Sequence, residues 1–448
     1  MRNHARNDLL RNLVKEARWT HHSFAVAVNG IGAEAGVALH YDRTAVSHWL
    51  AGSRPRPPVP EFVAEALSRR LGRSVSLAGA GLADTGLGDT STDGVLPAER
   101  PCGIQTLHDL VMADLDPARW AKLRELPFQA AWAVALEWCG NSHPRSLTVA
   151  NEGEAATLTV ISAMTSAFAT ADRMLGGGHA RSAVAVYLAT GVAAGLRPGG
   201  IGRRNHAHIA AAAALTQLIG FMCFDNLHHN LAQRYYRAAL QLAQEADDIA
   251  RHVAILHDMS VQALFLGHYR SAAQLAETAV ERASTLTPPS TRVALLGQAA
   301  VCHAAFSQRR QAFKHLADAE KSMEQASGGR QPDRRSGLAD LEHRTGLVLA
   351  FLQDLRRAEA ALTDSLRHRP DADRRSRMLT THQLADVQLR RACLEQACTT
   401  WQQFLSEYPY MDSARINFTF RRFRLRLQEH RNNETVRRVL HQANSLTG

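Results

Sequence analysis

Six side chains between residues 43 and 56 carry the clearest chemical signal in the sequence: Arg43, Thr44, Ser47, His48, Arg54 and Arg56. Each can hydrogen-bond to a planar or anionic partner. The three guanidinium groups offer a fork of N–H donors that suits a phosphate or the edge of a nucleobase. The first four lie in "DRTAVSHWL" (42–50), where Ala45, Val46, Trp49 and Leu50 recur at helical spacing. That spacing predicts a short helix with an apolar stripe and places Arg43, Thr44, Ser47 and His48 on the opposite face. Arg54 and Arg56 follow in "GSRPRPPVP" (52–60). The prolines there stiffen the exit from the helix and hold the two cations beside its end at little entropic cost.

The neighbouring residues supply a frame for this helix. "NDLLRNLVKEARWT" (7–20) predicts a helix burying Leu10, Leu13, Val14 and Ala17. Thr20 is placed to cap a second helix, "HHSFAVAVNGIGAEAG", with Phe24, Val28 and Ile31 inward. Asp42 caps the third, and "PEFVAEALSRRLG" makes a fourth that buries Phe62, Val63, Ala66, Leu67 and Leu71. Residues 1–75 hold eleven Lys and Arg against six Asp and Glu, a net +5 that suits an acidic partner.

A short third helix with a buried Trp and a polar outer face resembles the recognition helix of a helix-turn-helix domain. "SHWLAGSRPRPP" makes the likeness closest to the Xre/Cro-like class, although the second helix is long and interrupted by glycine. The resemblance implies that Arg43, Thr44, Ser47 and His48 meet base edges in a major groove, and that Arg54 and Arg56 grip phosphate.

Residues 76–103 are rich in Gly, Ala, Asp and Thr without periodicity, which predicts a flexible linker. From 104 to the end the pattern is helical. Ala183, Ala232, Ala272, Ala312, Ala358 and Ala397 anchor six segments spaced 39 to 49 residues apart. Four residues after each anchor the side chain is mostly large; twelve residues before it is always small (Ala171, Gly220, Ser260, Ala300, Gly346, Ala385). This pattern resembles the tetratricopeptide repeat, best in "GHYRSAAQLAETAVERA" (267–283), and predicts an all-α chain: a helix-turn-helix bundle (1–75), a linker (76–103) and a tetratricopeptide-like α-solenoid (104–448).

In such an array the first helix of each pair lines the concave face. The corresponding positions give Gln217, Phe221, Phe224, His257, Val261 and Phe265, then His343, Leu347, Phe351 and His382. This largely apolar lining suits a small hydrophobic ligand or an apolar peptide.

Other chemistries find little support. "GIGAEAG" and "GGIG" follow no strand, and no GKS or GKT appears, so neither reads as a nucleotide loop. His206 with His208, and His228 with His229, lack neighbouring Cys or carboxylate at ligand spacing, so no metal site and no cofactor is expected. There is no HExxH or nucleophile elbow to suggest an enzyme. Six scattered cysteines without a CxxC pair, and an N-terminus without an apolar core, predict a reduced, cytoplasmic protein. The apolar run 209–224 predicts a buried helix and no membrane partner. The net charge of +10 is compatible with nucleic acid.

The overall plan resembles a group of actinomycete regulators of sporulation and antibiotic production, and shares its layout with peptide-pheromone regulators of Gram-positive bacteria. The resemblance implies a homodimeric, ligand-responsive regulator that binds double-stranded DNA. The alternative expectation is a protein-interaction scaffold without specific DNA binding.

Overall fold

Asn7 starts the first helix: its side-chain oxygen accepts from the Leu10 amide at 2.9 Å, while its amide donates to the Ala80 carbonyl at 2.9 Å. One residue thereby ties the start of the first helix, α1 (Asp8–Glu16), to a turn 73 residues away. Thr20 and Ser23 form a reciprocal capping box at α2 (His21–Glu34). Asp42 caps α3 (Arg43–Leu50), and α4 (Val59–Leu71) follows the proline-rich hook. The expected inward residues of these helices are buried, apart from a half-buried Ala45 and Leu71. Residues 76–83, expected in the linker, belong to this module: Ala80 and Leu82 are buried in the same core as Phe24, Trp49 and Phe62. The computed structural model describes residues 6–83, 103–134, 152–193, 206–283, 287–325 and 331–446, so the remainder of the expected linker, 84–102, lies outside the described residues.

Beyond the module the regular elements among the described residues are all helices. α5 (Gly103–Leu115) and α6 (Pro117–Glu125) precede α7 (Glu152–Leu175) and α8 (Gly177–Tyr187), which runs into a π-turn. Then come α9 (His206–Asp225) with α10 (His229–Glu245), and α11 (Ile249–Phe265) with α12 (Tyr269–Arg282). α13 (Pro289–Ala305) pairs with α14 (Arg309–Gln325), and α15 (Gln331–Phe351) with α16 (Leu355–His368). α17 (Arg374–Arg390) and α18 (Leu394–Glu407) complete the pairs, and α19 (Ala414–Gln428) and α20 (Glu434–Ser445) end the chain. Among the described residues there are only helices, arranged as sequential pairs in a repeat-like α-solenoid.

One turn recurs inside the pairs. Leu227, Gly267, Ser307, Gln353 and Ala392 all have positive φ, and the amides around them bond back into the preceding helix. Each of these residues stands five positions before an anchor alanine, and Ala232, Ala272, Ala312, Ala358 and Ala397 are all fully buried. The small column twelve residues before the anchors packs against the large column four residues after. A Cβ on Gly220 would come within 2.9 Å of the Tyr236 ring, and one on Gly346 within 2.6 Å of Leu362. Only the first copy is out of register: Ala183 is exposed, and Ala180, three residues earlier, is the buried one.

α9, long and apolar enough to span a membrane, is a core helix here: Ala212, Leu215, Ile219 and Met222 are fully buried. The described cysteines, Cys223, Cys302, Cys393 and Cys398, are unpaired thiols. Burial pushes Cys302 up to about 12, so this thiol is protonated and inert.

Candidate nucleic-acid interface

The outward face of α3 is built by its buried side. Val46, Trp49 and Leu50 pack inward, and the Trp49 ring meets Phe24 edge-on at 6.2 Å and Tyr41 at 5.0 Å. Truncating such a residue costs about 3–5 kcal/mol, which is what fixes the helix orientation. Arg43, Thr44, Ser47 and His48 are left exposed on the other side. Two oxygen contacts set the ends. The Asp42 carboxylate accepts from the Thr44 and Ala45 amides at 2.9 and 3.0 Å, and that hydrogen bond to Ala45, above all, holds it below the usual carboxylate range. At the other end the Arg11 guanidinium donates to the Leu50 carbonyl at 3.3 Å.

The long α2–α3 connection is an ordered clamp. Asn29 donates to the Tyr41 carbonyl at 2.9 Å and accepts from the Tyr41 amide at 3.0 Å, which fixes where α3 begins. The N-terminus of α2 lies beside α3, with His21 Nδ1 3.2 Å from Ser47 Oγ. Ser47 Oγ also donates to the Arg43 carbonyl at 3.0 Å. Ser47 therefore sits where the start of α2 and the exposed face of α3 converge, a place where helix N–H groups and side chains can meet an anion together.

The hook divides its two arginines. Both are exposed, but Arg54 donates to the Ala83 carbonyl and so tethers the hook to the last turn of the module. Arg54, which the resemblance assigns to phosphate, thus has a partner in the protein backbone. Arg56 remains on the exposed edge.

The module is seated on the solenoid through α4. Glu65, which is buried, accepts from His268 Nε2 at 2.8 Å, and His268 stacks on Phe128 at 4.8 Å. Arg69 holds Glu65 at 3.1 Å and Glu34 at 3.0 and 2.9 Å. The α3 face stays exposed in this arrangement.

The ten residues expected to line a ligand groove do not form one surface. Phe221, Phe224 and Phe265 come together, with ring centroids 5.9 and 5.6 Å apart. Phe418 of α19 packs on Phe265 at 5.7 Å, and the guanidinium of Arg415 lies 4.6 Å over Phe224. Phe224 is fully buried, so at this point the expected open lining is core, covered by α19. Gln217 and His257 meet through Asp258, at 2.7 Å from Gln217 and 3.0 Å from His257, and Arg344 reaches His257 at 3.0 Å. Val261 packs half-buried on the first core and Leu347 on another. Phe351 is 40% exposed and faces Tyr269. His343 contacts Thr380 at 3.0 Å, and His382 lies edge-on to Trp401 and Phe423 in the C-terminal core. Burial, and then nearby arginines, pushes both His343 and His382 down to about 3, so both are neutral packing groups.

What closes the solenoid is a buried charge cluster that joins α7 and α9 to α17 and α19. Arg375 of α17 pairs with Asp172 of α7 at 2.6 Å and lies 3.8 Å from Asp225 of α9; Arg415 of α19 lies 3.5 Å from Asp225. Arg375 also covers the Phe221 ring at 4.7 Å. Each partner belongs to a different helix, so no local pattern could reveal the cluster.

Compared with known families, residues 10–83 match the SP15 N-terminal domain. The matched segment includes Ala80 and Leu82, which are buried in the core of the module. Neither a helix-turn-helix nor a tetratricopeptide family is identified; the matched domain is followed by a long all-helical region of paired helices. No curated protein matches the chain.

Proposed function

We propose that the chain is a sequence-specific, double-stranded-DNA-binding transcription regulator, a helix-turn-helix protein whose recognition helix is α3. The observation that carries this reading is the exposed set Arg43, Thr44, Ser47 and His48 on a helix whose other face is locked by Val46, Trp49 and Leu50. A face fixed this firmly, with side chains that suit base edges and a cation at Arg56 beside it, is suited to a major groove. A scaffold that used the module only for packing would have no need of that set.

The solenoid, in this reading, pairs two copies and senses an effector. One short helix reads only a few base pairs, so a dimer on an inverted repeat is the economical solution. An apolar effector reaches Phe221 and Phe265 by displacing α19, because Phe418 and Arg415 cover them. Phe265 stands three residues before His268, the group that holds Glu65 of the module. Displacement of α19 would thus act on the residues that seat the DNA-binding face. A ligand shifts that equilibrium only by as much as it prefers one arrangement.

The test is equilibrium binding of the intact chain to sheared genomic DNA at low salt, by mobility shift. Retention of DNA, with a steep salt dependence, supports the reading. A chain that ignores DNA at low salt refutes it and leaves the scaffold reading in its place.

A further inference from the structure

We propose that Glu277, His303 and His315 form a binding site for a divalent transition-metal ion, Zn2+ in the first place. The three residues come from three successive helices, α12, α13 and α14. Glu277 Oε2 lies 3.0 Å from His303 Nε2 and 2.9 Å from His315 Nε2, and all three donor atoms fall within 4.8 Å of one another. Donors on a tetrahedral ion with bonds near 2.0–2.1 Å stand roughly 3.3 Å apart. Two edges of that polyhedron are already close to the required length.

The hydrogen-bond chemistry calls for a cation. His303 Nδ1 is 2.5 Å from Gln308 Oε1, an amide oxygen that can only accept, so Nδ1 carries a proton. With the proton on Nδ1, the lone pair of Nε2 faces a carboxylate oxygen at 3.0 Å. Two acceptors at this distance are reconciled by a second proton or by a metal. The two imidazole rings are stacked, 5.2 Å apart and inclined by 13°, so protonating both would set two positive charges face to face. A single divalent ion satisfies the His303 Nε2 lone pair and the carboxylate at once, with His315 Nε2 as a third donor.

The surroundings have the features of a metal site. Gln308 orients His303 from behind, the role an outer partner plays for a ligating imidazole. Both histidine side chains are buried, at 10% and 5% exposure, while Glu277 is 39% exposed and opens the fourth position to solvent. His2Glu is a borderline N/O donor set that suits Zn2+. An ion there would join α12 to the following helix pair. The proposal is independent of DNA binding.

The experiment uses the intact chain, stripped with a chelator and titrated with Zn2+ by calorimetry, with Co2+ as the optical probe. The expected result is one equivalent bound, with the intense ligand-field absorption of a low-coordinate Co2+ and a raised melting temperature. His315→Phe, which keeps the ring packing, and Glu277→Gln should each weaken binding by more than the ~10–100-fold expected for Gln308→Ala, an outer partner. His430→Ala, at an exposed histidine, should bind as the parent does. Circular dichroism checks that each variant is folded. Failure of the stripped chain to take up one equivalent, or uptake that is unchanged in both His315→Phe and Glu277→Gln, overturns the proposal.

Discussion

Replacing Arg375 by alanine should be among the most damaging single changes in the solenoid. Its guanidinium is the main countercharge for Asp172, which is 3% exposed, and a second neighbour of the fully buried Asp225. Burial opposes the charge on Arg375, yet Asp225 and Asp172 hold it above its ordinary value. Removing one partner of such a buried pair costs about 3–5 kcal/mol, because the remaining charge has no compensation. Loss of the cation from the face of Phe221 adds roughly 0.5–2 kcal/mol. The adjacent Arg374 makes a half-exposed pair with Glu407 at 2.8 Å, and Arg374→Ala should cost only ~0–1 kcal/mol. The double change Arg375→Met with Asp172→Leu should recover most of the loss, since an apolar pair of similar volume needs no countercharge. Urea unfolding followed by tryptophan fluorescence measures all four chains. If Arg375→Ala falls within ~1 kcal/mol of the parent, or no further from it than Arg374→Ala, the closure does not rest on this cluster.

Two glycine substitutions should move stability in opposite directions: Gly346→Ala brings a Cβ against Leu362 and should cost ~1–3 kcal/mol, whereas Gly30→Ala meets nothing within 4 Å and should gain roughly 0.5–1 kcal/mol; thermal melts of the two variants check this. Acid should destabilise the fold before carboxylates titrate. Burial, first of all, pushes the buried His229 to about 3 and His252 to about 4, so the unfolded chain takes up protons that the folded chain refuses below an unfolded value near 6.5. Stability is therefore complete above that value and lost as pH falls toward the folded pKa, by roughly 1–2 kcal/mol for each group between pH 7 and 5; a urea midpoint that is flat over this interval would count against it. Arg56→Ala should weaken binding to any DNA and lower the salt slope by about 1, without changing the melting temperature; Arg54→Ala should also lower the melting temperature, through its bond to the Ala83 carbonyl.

The parts of this structure that were legible in sequence are those decided by local spacing. Trp49, Val46 and Leu50 announce the inner face of α3 because helical period alone sorts them from Arg43 and Ser47. The small residue at Gly220 or Gly346 announces a helix crossing because a backbone approach leaves no room for a Cβ. The copy at Ala183 slipped by three residues because both Ala180 and Ala183 are alanine, and small side chains do not define a face. What depended on accumulated turn angles was out of reach: that α19 would cover Phe224, that Arg375 would meet Asp172, and that Glu277, His303 and His315 would converge from three helices. The packing of Ala80 and Leu82 was hidden by a composition typical of linkers.

The most direct measurement of the central claim is selection and sequencing of genomic fragments retained by the intact chain and by Arg43→Ala and Ser47→Ala variants. The parent should enrich one inverted-repeat motif. Each variant should still bind DNA but relax the preference at its own positions, by ~1–3 kcal/mol per lost base contact. If the parent retains fragments without a common motif, or if the variants enrich the same motif with the same preference, α3 is not the element that reads DNA.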